Sequence, residues 1–532
     1  MPVIDSAVDP TSDEYRANRE AMLARLAVIE EQQALAMAGG GERYAARHRA
    51  RGRLLVRERV DLLVDRDSAF LELSPLAAWG TEFAVGASIV TGVGVVSGVE
   101  CVIIGSEPTV RGGTMNPFTL RKNLRALEVA KINRLPVINL VESGGADLST
   151  QADLFIAAGQ IFRDLTQLSA MAIPTIALVF GNSTAGGAYV PGMCDYAVMV
   201  DRAAKVFLGG PPLVKMATGE ESDDEELGGA EMHARVSGLC DYFAVDELDC
   251  IRIGRQIVAD LNWRKTGPGP SRSGAAPRYD PDEMLGVVSA DLRVPFDPRE
   301  VIARTVDASA FDEYKPGYGA SLVTGWATLH GYPIGVLANA RGVLFMDEAK
   351  KATEFILLAN QTDTPLVFLQ NTTGYMVGRQ YEQAGIIKDG AKMINAVANS
   401  GVPHLTVIMG ASYGAGNYGM CGRAYGPRFL FAWPSARVAV MGPQQLAGVL
   451  SIVARQGAQA AGRAFDEEAD AAQRRAVEEQ IERESEALFM TGKIYDDGII
   501  DPRDTRTVLG IALSAIHSGP VEGRRGFGVF RM

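Results

Sequence analysis

Apolar and polar positions sort the chain into a few kinds of stretch. Early on, Met22, Leu26 and Ile29 recur at helical spacing among charged residues, predicting an amphipathic surface helix over 12–38 that Gly39–Gly41 end. Continuous apolar runs led by proline, Pro136-Val-Ile-Asn-Leu-Val and Pro174-Thr-Ile-Ala-Leu-Val-Phe-Gly, predict strands buried on both faces. Leu154 to Met171, between them, is long enough for a helix. Buried strands alternating with helices specify a parallel α/β sheet. Residues 266–283, rich in Pro, Gly, Ser and Arg, predict a linker near mid-chain. Residues 465–489 alternate in charge sign and predict a solvated helix, with subunit contact as its functional reading.

The second half repeats the first. Pro365-Leu-Val-Phe-Leu-Gln matches the run at Pro136, and Pro403-His-Leu-Thr-Val-Ile-Met-Gly matches the run at Pro174, both 229 positions later. Gly145 and Gly374, Gly187 and Gly416, and Tyr189 and Tyr418 keep the same offset. A repeat of this length is a duplicated domain rather than a solenoid. The expected division is 1–270 and 271–532.

Composition narrows the function. With 532 residues, two domains are the natural expectation. Net charge −12 without a basic run excludes the footprint of a nucleic-acid binder and disfavours anionic membranes. No apolar run approaches a bilayer span. The acidic N-terminus resembles neither a secretory nor a transit peptide, so a cytoplasmic protein is expected. Five scattered cysteines, Cys101, Cys194, Cys240, Cys250 and Cys421, show no C-x-x-C pair, and the five histidines form no ligand pattern. Buried free thiols and no metal in this chain are expected.

Neither a G-x-S-x-G nucleophile elbow nor a phosphate-binding G-x-x-x-x-G-K-[ST] loop is expected, which leaves the glycine turns to carry chemistry. In each half a buried strand runs into small residues, Asn182-Ser-Thr-Ala-Gly-Gly-Ala-Tyr189 and Ala411-Ser-Tyr-Gly-Ala-Gly-Asn-Tyr418. Such turns let backbone N–H groups face a ligand, and a following helix adds free donors. They suit an oxyanion derived from a carbonyl, although a single Gly-Gly is by itself more often a tight packing turn. A second pair, Ser143-Gly-Gly-Ala146 and Thr372-Thr-Gly-Tyr-Met-Val-Gly378, follows the preceding strands, whose carboxyl ends are the usual ligand sites of open sheets. Two carbonyl-activating turns suggest a group passed between two carbonyl-bearing substrates.

At these residues the sequence resembles the carboxyltransferase (β) subunits of biotin-dependent acyl-CoA carboxylases, most of all the 3-methylcrotonyl-CoA branch. The resemblance spans about residues 30–532. It rests on Val-Glu-Ser-Gly-Gly-Ala-Asp-Leu (141–148), Ala-Gly-Gly-Ala-Tyr-Val-Pro (185–191), Gly-Gly-Pro-Pro-Leu-Val-Lys (209–215) and Ser-Tyr-Gly-Ala-Gly-Asn-Tyr-Gly-Met-Cys-Gly-Arg-Ala-Tyr (412–425). It implies two tandem crotonase-like (ββα superhelix) domains, the first binding acyl-CoA and the second biotin. Carried over, N–H groups at Gly186 and Gly187 hold the thioester enolate, with Ser143, Gly144, Gly145, Ala146, Ala185 and Ala188 around the acyl-CoA. Those of Gly414, Ala415 and Gly416 hold the biotin ureido oxygen, with Thr373, Gly374, Tyr375 and Asn417 in the biotin pocket. It also implies an active site completed between subunits of a β-hexamer within an α6β6-type complex.

No Met-Lys-Met biotinylation motif is present, so the carboxybiotin is expected on a separate α subunit with biotin carboxylase and biotin carrier domains. Gly210-Pro-Pro-Leu-Val-Lys215 favours the methylcrotonyl or geranyl branch over propionyl-CoA enzymes. Met115-Asn116, Tyr375 and Asn339-Ala-Arg-Gly342 depart from that branch, so propionyl-, acetyl- or other acyl-CoA carboxylases remain alternatives. A crotonase-type hydratase or isomerase is the competing class; it would want a carboxylate pair beside the first-half turn.

Overall fold

A computed structural model of the chain describes residues 1–289, 291 and 293–532. Two sheets carry the fold. In the first, the strands lie in the order Leu71–Glu72, Ile89–Val96, Val99–Ser106, Val137–Ser143, Thr175–Thr184, Tyr196–Val200 and Tyr242–Ala244. In the second the order is Asp312–Glu313, Leu322–Leu329, Tyr332–Asn339, Leu366–Thr372, His404–Tyr413 and Phe429–Ala432. The proline-led runs are central parallel strands, as expected. Each sheet also begins with an antiparallel hairpin that the apolar runs did not announce. The hairpins close on Ser97-Gly98 and His330-Gly331, all four in the left-handed region. Two consecutive positive φ values make the tight turn whose twist suits a hairpin. Asp65 accepts from the N–H groups of Ser97 and Gly98 (2.8 and 2.7 Å), and Asp307 does the same for His330 and Gly331 (3.1 and 2.8 Å).

The duplication is structural. Helices Pro117–Asn133 and Met346–Gln361, strands Val137–Ser143 and Leu366–Thr372, and strands Thr175–Thr184 and His404–Tyr413 start 229 residues apart. The hairpins start 233 apart, so the connection 107–116 is four residues longer than 340–345. Even buried charges are copied. Lys122 donates to Ile89 O and Lys351 to Leu322 O, each at 2.8 Å, tying a helix to the mouth of its hairpin. Burial lowers Lys122 to about 8, a cost accepted because carbonyl oxygens satisfy the ammonium.

In each half the long strand changes partner partway. Thr175–Thr184 pairs with Tyr196–Val200 through Val179, then with Lys205–Phe207 from Asn182. His404–Tyr413 pairs with Phe429–Ala432 through Ile408, then with Arg437–Ala439 from Ala411. Pairing with the preceding strand slips at the same point, between Val141 and Ser143 and between Gln370 and Thr372.

The helix predicted over 12–38 is Asp13–Met37, capped by the Ser12 hydroxyl, with Met22, Leu26 and Ile29 buried. The helix at 154–171 is Gln151–Ala170. The charged segment at 465–489 contains the helix Glu467–Ser485, packed against Pro443–Ala460. The expected linker has neither helix nor strand between 262 and 280, but it is tied down: Gly267 N donates to His517 O (3.1 Å) and Ser271 N to Gly331 O (2.9 Å). All five cysteines are free, and four are buried. No helix among the described residues is long and apolar enough to cross a membrane.

One apolar core runs through both halves, from Leu127 and Val137 to Val407, Phe429 and Trp433. At its margin Asp497, fully buried, accepts from Arg125 of the first half (2.8 Å) and pairs with Arg423 of the second (3.1 Å). Burial would raise its pKa, yet the two guanidiniums hold it at about 2. Its neighbour Asp496 is also buried, its carboxylate oxygens find no hydrogen-bond donor of good geometry among the described residues, and burial pushes it to about 7. Below pH 3.8 that carboxyl is protonated folded or unfolded. Between 3.8 and about 7 only the unfolded form ionises, so stability falls as pH rises and the loss is complete above about 7. Asp496→Asn should therefore gain stability relative to the parent between pH 5 and pH 8, on the order of a few kcal/mol. Urea unfolding at the two pH values reads this; an equal difference at both would refute it.

Candidate active site

In the first half, strand Val137–Ser143 ends in the turn Ser143–Ala146. The Ser143 hydroxyl donates to Gly113 O (2.6 Å) and accepts from Gly145 N (3.2 Å), while Gly144 N donates to Gly112 O (3.0 Å). Gly145 has φ +93, and a Cβ there would lie 3.2 Å from Thr184 O. The turn is therefore seated on the last residue of the long strand. That strand opens directly into the 3₁₀ turn Ala185–Ala188 and the helix Tyr189–Met193. Ser143, Gly144, Gly145 and Ala146 thus adjoin Ala185, Gly186, Gly187 and Ala188. Gly186 is exposed and Gly187 half-buried, at the start of a helical turn where N–H groups lack intrahelical acceptors. Ala185 is left-handed at φ +54, a strain of about 1–2 kcal/mol for a residue with a Cβ.

The second half builds the same corner. Thr372 Oγ1 donates to Gly342 O (2.9 Å) and accepts from Gly374 N (3.2 Å), the counterparts of the Ser143 bonds. Gly414, with φ +54, takes the place of Ala185. Ala415 is exposed, Asn417 half-buried and Gly416 buried. A Cβ at Gly416 would lie 2.9 Å from both Gly374 Cα and Thr372 Oγ1, so the two turns touch through glycine. Thr373 is exposed, but the Tyr375 ring turns inward against Gly390, Gly419 and Met393, and burial pushes its phenol upward. Asn417 Nδ2 donates to Ser412 Oγ (2.8 Å), which donates to Gln370 Oε1 (2.6 Å). Gly410-Ala-Ser-Tyr-Gly414 does match the nucleophile pattern G-x-S-x-G, which corrects the expectation that the chain has no such elbow. The buried Ser412 hydroxyl is committed to this network and braces Asn417 instead.

A cavity of about 1050 Å³ opens beside the second-half corner, lined by Thr373, Ala411, Tyr413, Arg25 and Arg437; none of its lining residues comes from the first-half turns. Among the described residues no cluster of His, Cys, Asp or Glu fits a metal.

The motif residue missed by sequence reasoning is Glu142. It pairs with Arg53 and with the fully buried Arg59, which also bonds Glu247 twice at 2.9 Å. Burial would raise Glu142, but Arg59 and Arg53 outweigh it and hold the carboxyl below its usual range. An ionised, paired carboxylate under the turn braces it and is a poor acid for hydration chemistry. Asn116, one of the departures from the methylcrotonyl branch, has a structural role. Its Oδ1 accepts from Phe118 N and Thr119 N and caps the helix Pro117–Asn133.

The same bent-strand corner in two copies of a parallel α/β sheet defines the chain as a tandem crotonase-like protein, with main-chain donors of a kind able to stabilise carbonyl-derived anions. The carboxyl transferase domain matches residues 47–529, and the chain belongs to that family. It is 67% identical over its whole length to a probable biotin-dependent acyl-coenzyme A carboxylase beta2 subunit of Mycobacterium tuberculosis, all of which is covered. It is 49% identical to the biotin-dependent 3-methylcrotonyl-coenzyme A carboxylase beta1 subunit of the same organism, over 95% of this chain and 96% of that one. The crystal structure of the geranyl-CoA carboxylase beta subunit of P. aeruginosa superposes with TM-score 0.91 at 42% identity, covering both chains fully.

The corners respond differently to an added methyl. At Gly187 a Cβ meets only Ser183 Oγ, at 3.7 Å. Gly416→Ala should cost about 1–3 kcal/mol and Gly187→Ala should leave thermal stability near the parent's. Calorimetric melting of the two variants checks this, and equal Tm losses would contradict it.

Proposed function

We propose that this chain is a carboxyltransferase subunit moving the carboxyl group from carboxybiotin to an acyl-CoA, with 3-methylcrotonyl-CoA giving 3-methylglutaconyl-CoA as the favoured pair. The carrying observation is the same anion-binding corner built twice, 229 residues apart. Residues 1–270 bind the acyl-CoA and 271–532 the biotin.

At the first corner the thioester oxygen accepts from Gly186 and Gly187 N–H. In a 3-methylenoyl thioester, loss of a γ-methyl proton delocalises charge onto that oxygen. Fixed donors aimed at it are worth about 3–4 kcal/mol of barrier each. Ser143–Ala146 and Ala188 wall this pocket, and the small side chain of Ala185 leaves the donors uncovered. At the second corner Gly414, Ala415 and Gly416 offer N–H groups to the ureido oxygen, with Thr373, Gly374 and Asn417 alongside. The adjoining cavity is ample for a fused bicyclic ring, and Tyr375 supports the corner from below. When bound, carboxybiotin supplies the carboxyl group and, once relieved of it, the base. That division of labour agrees with a corner whose acid, Glu142, is locked in ion pairs.

The biotin is carried by an α subunit with biotin carboxylase and biotin carrier domains. A β-hexamer within an α6β6-type complex brings the first corner of one copy to the second corner of another. Exposed apolar side chains in both halves support this, Phe155 and Ile156 in the first and Val440, Ile452 and Val453 in the second. A cytoplasmic location fits these partners.

The reverse reaction tests the reading. Purified chain, free biotin and a panel of 3-methylglutaconyl-, methylmalonyl- and malonyl-CoA should give biotin-dependent decarboxylation of the first alone. Turnover of either other ester would replace the substrate and keep the reaction; no turnover even with the α subunit added would end the proposal. Gly187→Val should abolish turnover with assembly retained, as size-exclusion chromatography would report.

A further inference from the structure

Because the chain is duplicated, each charged cluster has a counterpart in the other half. In the second half the buried Asp389 holds two cations, Lys392 at 3.0 Å and Lys350 at 3.4 Å, and Lys350 also meets Asp347 at 3.6 Å. The helix Met346–Gln361 starts 229 positions after Pro117–Asn133, and Ile386–Asn399 ends 229 positions after Gln151–Ala170. At that offset Lys350 and Lys392 correspond to Arg121 and Arg163, so the first half keeps both cations. Asp389 and Asp347 correspond to Gln160 and Phe118, so it has lost both acids.

The place left open is a cleft of about 580 Å³ between the halves, lined by Arg121, Gln160 and Arg163 from the first and by Lys493 and Tyr495 from the second. Lys493 thus adds a third cation. The Phe118 ring stands where the other half has an acid, and two of the cations gather on it: Arg121 Cζ lies 5.1 Å and Lys493 Nζ 5.9 Å from its centroid. The acids around the cleft are already committed. Asp164 pairs with Arg163 (2.9 Å), Glu128 pairs with Arg125 (2.8 Å), and Asp497 behind them holds Arg125 and Arg423. Among the described residues neither Arg121 nor Lys493 has a carboxylate within ion-pair distance. Two cations brought to one ring repel each other, and an anion between them removes that cost.

We propose that this cleft binds a small anion of at least two charges, a dicarboxylate or a phosphate, in the place that Asp389 fills in the other half. Arg121 and Arg163 donate to its oxygens through planar forks, and Lys493 adds a compact charge. Such an anion ties two helices of the first half to the segment 493–495 of the second. One of those helices, Gln151–Ala170, also brings Phe162 over the first corner, 3.5 Å from the place of a Cβ on Gly186. The site stands apart from the carboxyl-transfer reading and holds whichever acyl-CoA is used.

Calorimetric titration of the full chain with inorganic phosphate and with succinate, against chloride at equal ionic strength, tests it without turnover. At least one dianion should bind and raise Tm, and chloride should do neither. Which of the two binds more tightly distinguishes a phosphate site from a carboxylate site. The double variant Arg121→Gln, Lys493→Gln should weaken binding about tenfold or more. Gln160→Asp restores the acid of the other half and should weaken binding as much with every cation in place, whereas Gln160→Asn should keep the parent's affinity. Size-exclusion profiles and anion-free melting curves establish that the variants are folded. No binding of either dianion beyond that of chloride, or binding that survives in the double variant or in Gln160→Asp, would overturn the proposal.

Discussion

The structure depends on a slip in strand register. In each half the long central strand follows its neighbour for a few residues, then breaks step and takes a new partner on its other side. A strand that stayed in register would end flush with the sheet, with its terminal amides beside those of its neighbours. By breaking step, Thr175–Thr184 and His404–Tyr413 carry their last residues beneath the preceding turn. Thr184 O then faces Gly145, and Tyr413 O faces Gly374. Everything proposed for chemistry lies within a few residues of those two contacts. Glycine is favoured at Gly145 and Gly374 because φ is positive at both, and at Gly145 a carbonyl oxygen also crowds the place of a Cβ.

Charge is used below the corners more than within them. Arg59 and Glu142 brace the first turn from underneath, and Lys122 and Lys351 pin equivalent helices to equivalent hairpins. A buried ion pair is weak evidence for stability, but losing one partner strands the other in a medium that solvates it poorly. Such pairs make a backbone geometry hard to deform, which suits donors that must already point at a charge before it forms.

Much of this was legible in the sequence. Proline-led apolar runs gave the central strands, and one offset gave the duplication and both pairs of turns. The hairpins were missed because their strands interleave glycine and β-branched residues without a continuous run, although Ser97-Gly98 and His330-Gly331 carried the turn signal. The role of Asn116 was hidden because a helix cap and a substrate contact look alike in a list of residues. Glu142 stood inside a recognised motif, yet its partners Arg59 and Glu247 come from distant segments, and no spacing rule joins them. The inward turn of Tyr375 follows from glycines at 390 and 419, far from it in sequence.

The two ends of the chain cross over. Val3 bridges to Ala310, and Asp13–Met37 lies on Met284–Val287, so the first residues belong to the surface of the second half. In return Gly492 and Asp497 bind Ala78 and Ser74, and Ser518 bonds Arg134 and Trp263. A ribosome releases the first half long before the segment that seals it exists. The nascent first sheet must wait with its margin open until translation is nearly finished, and contacts so distant in sequence form slowly. Cutting the gene at the 266–283 connection would divide the repeat cleanly on paper and leave each fragment lacking a piece of its own core.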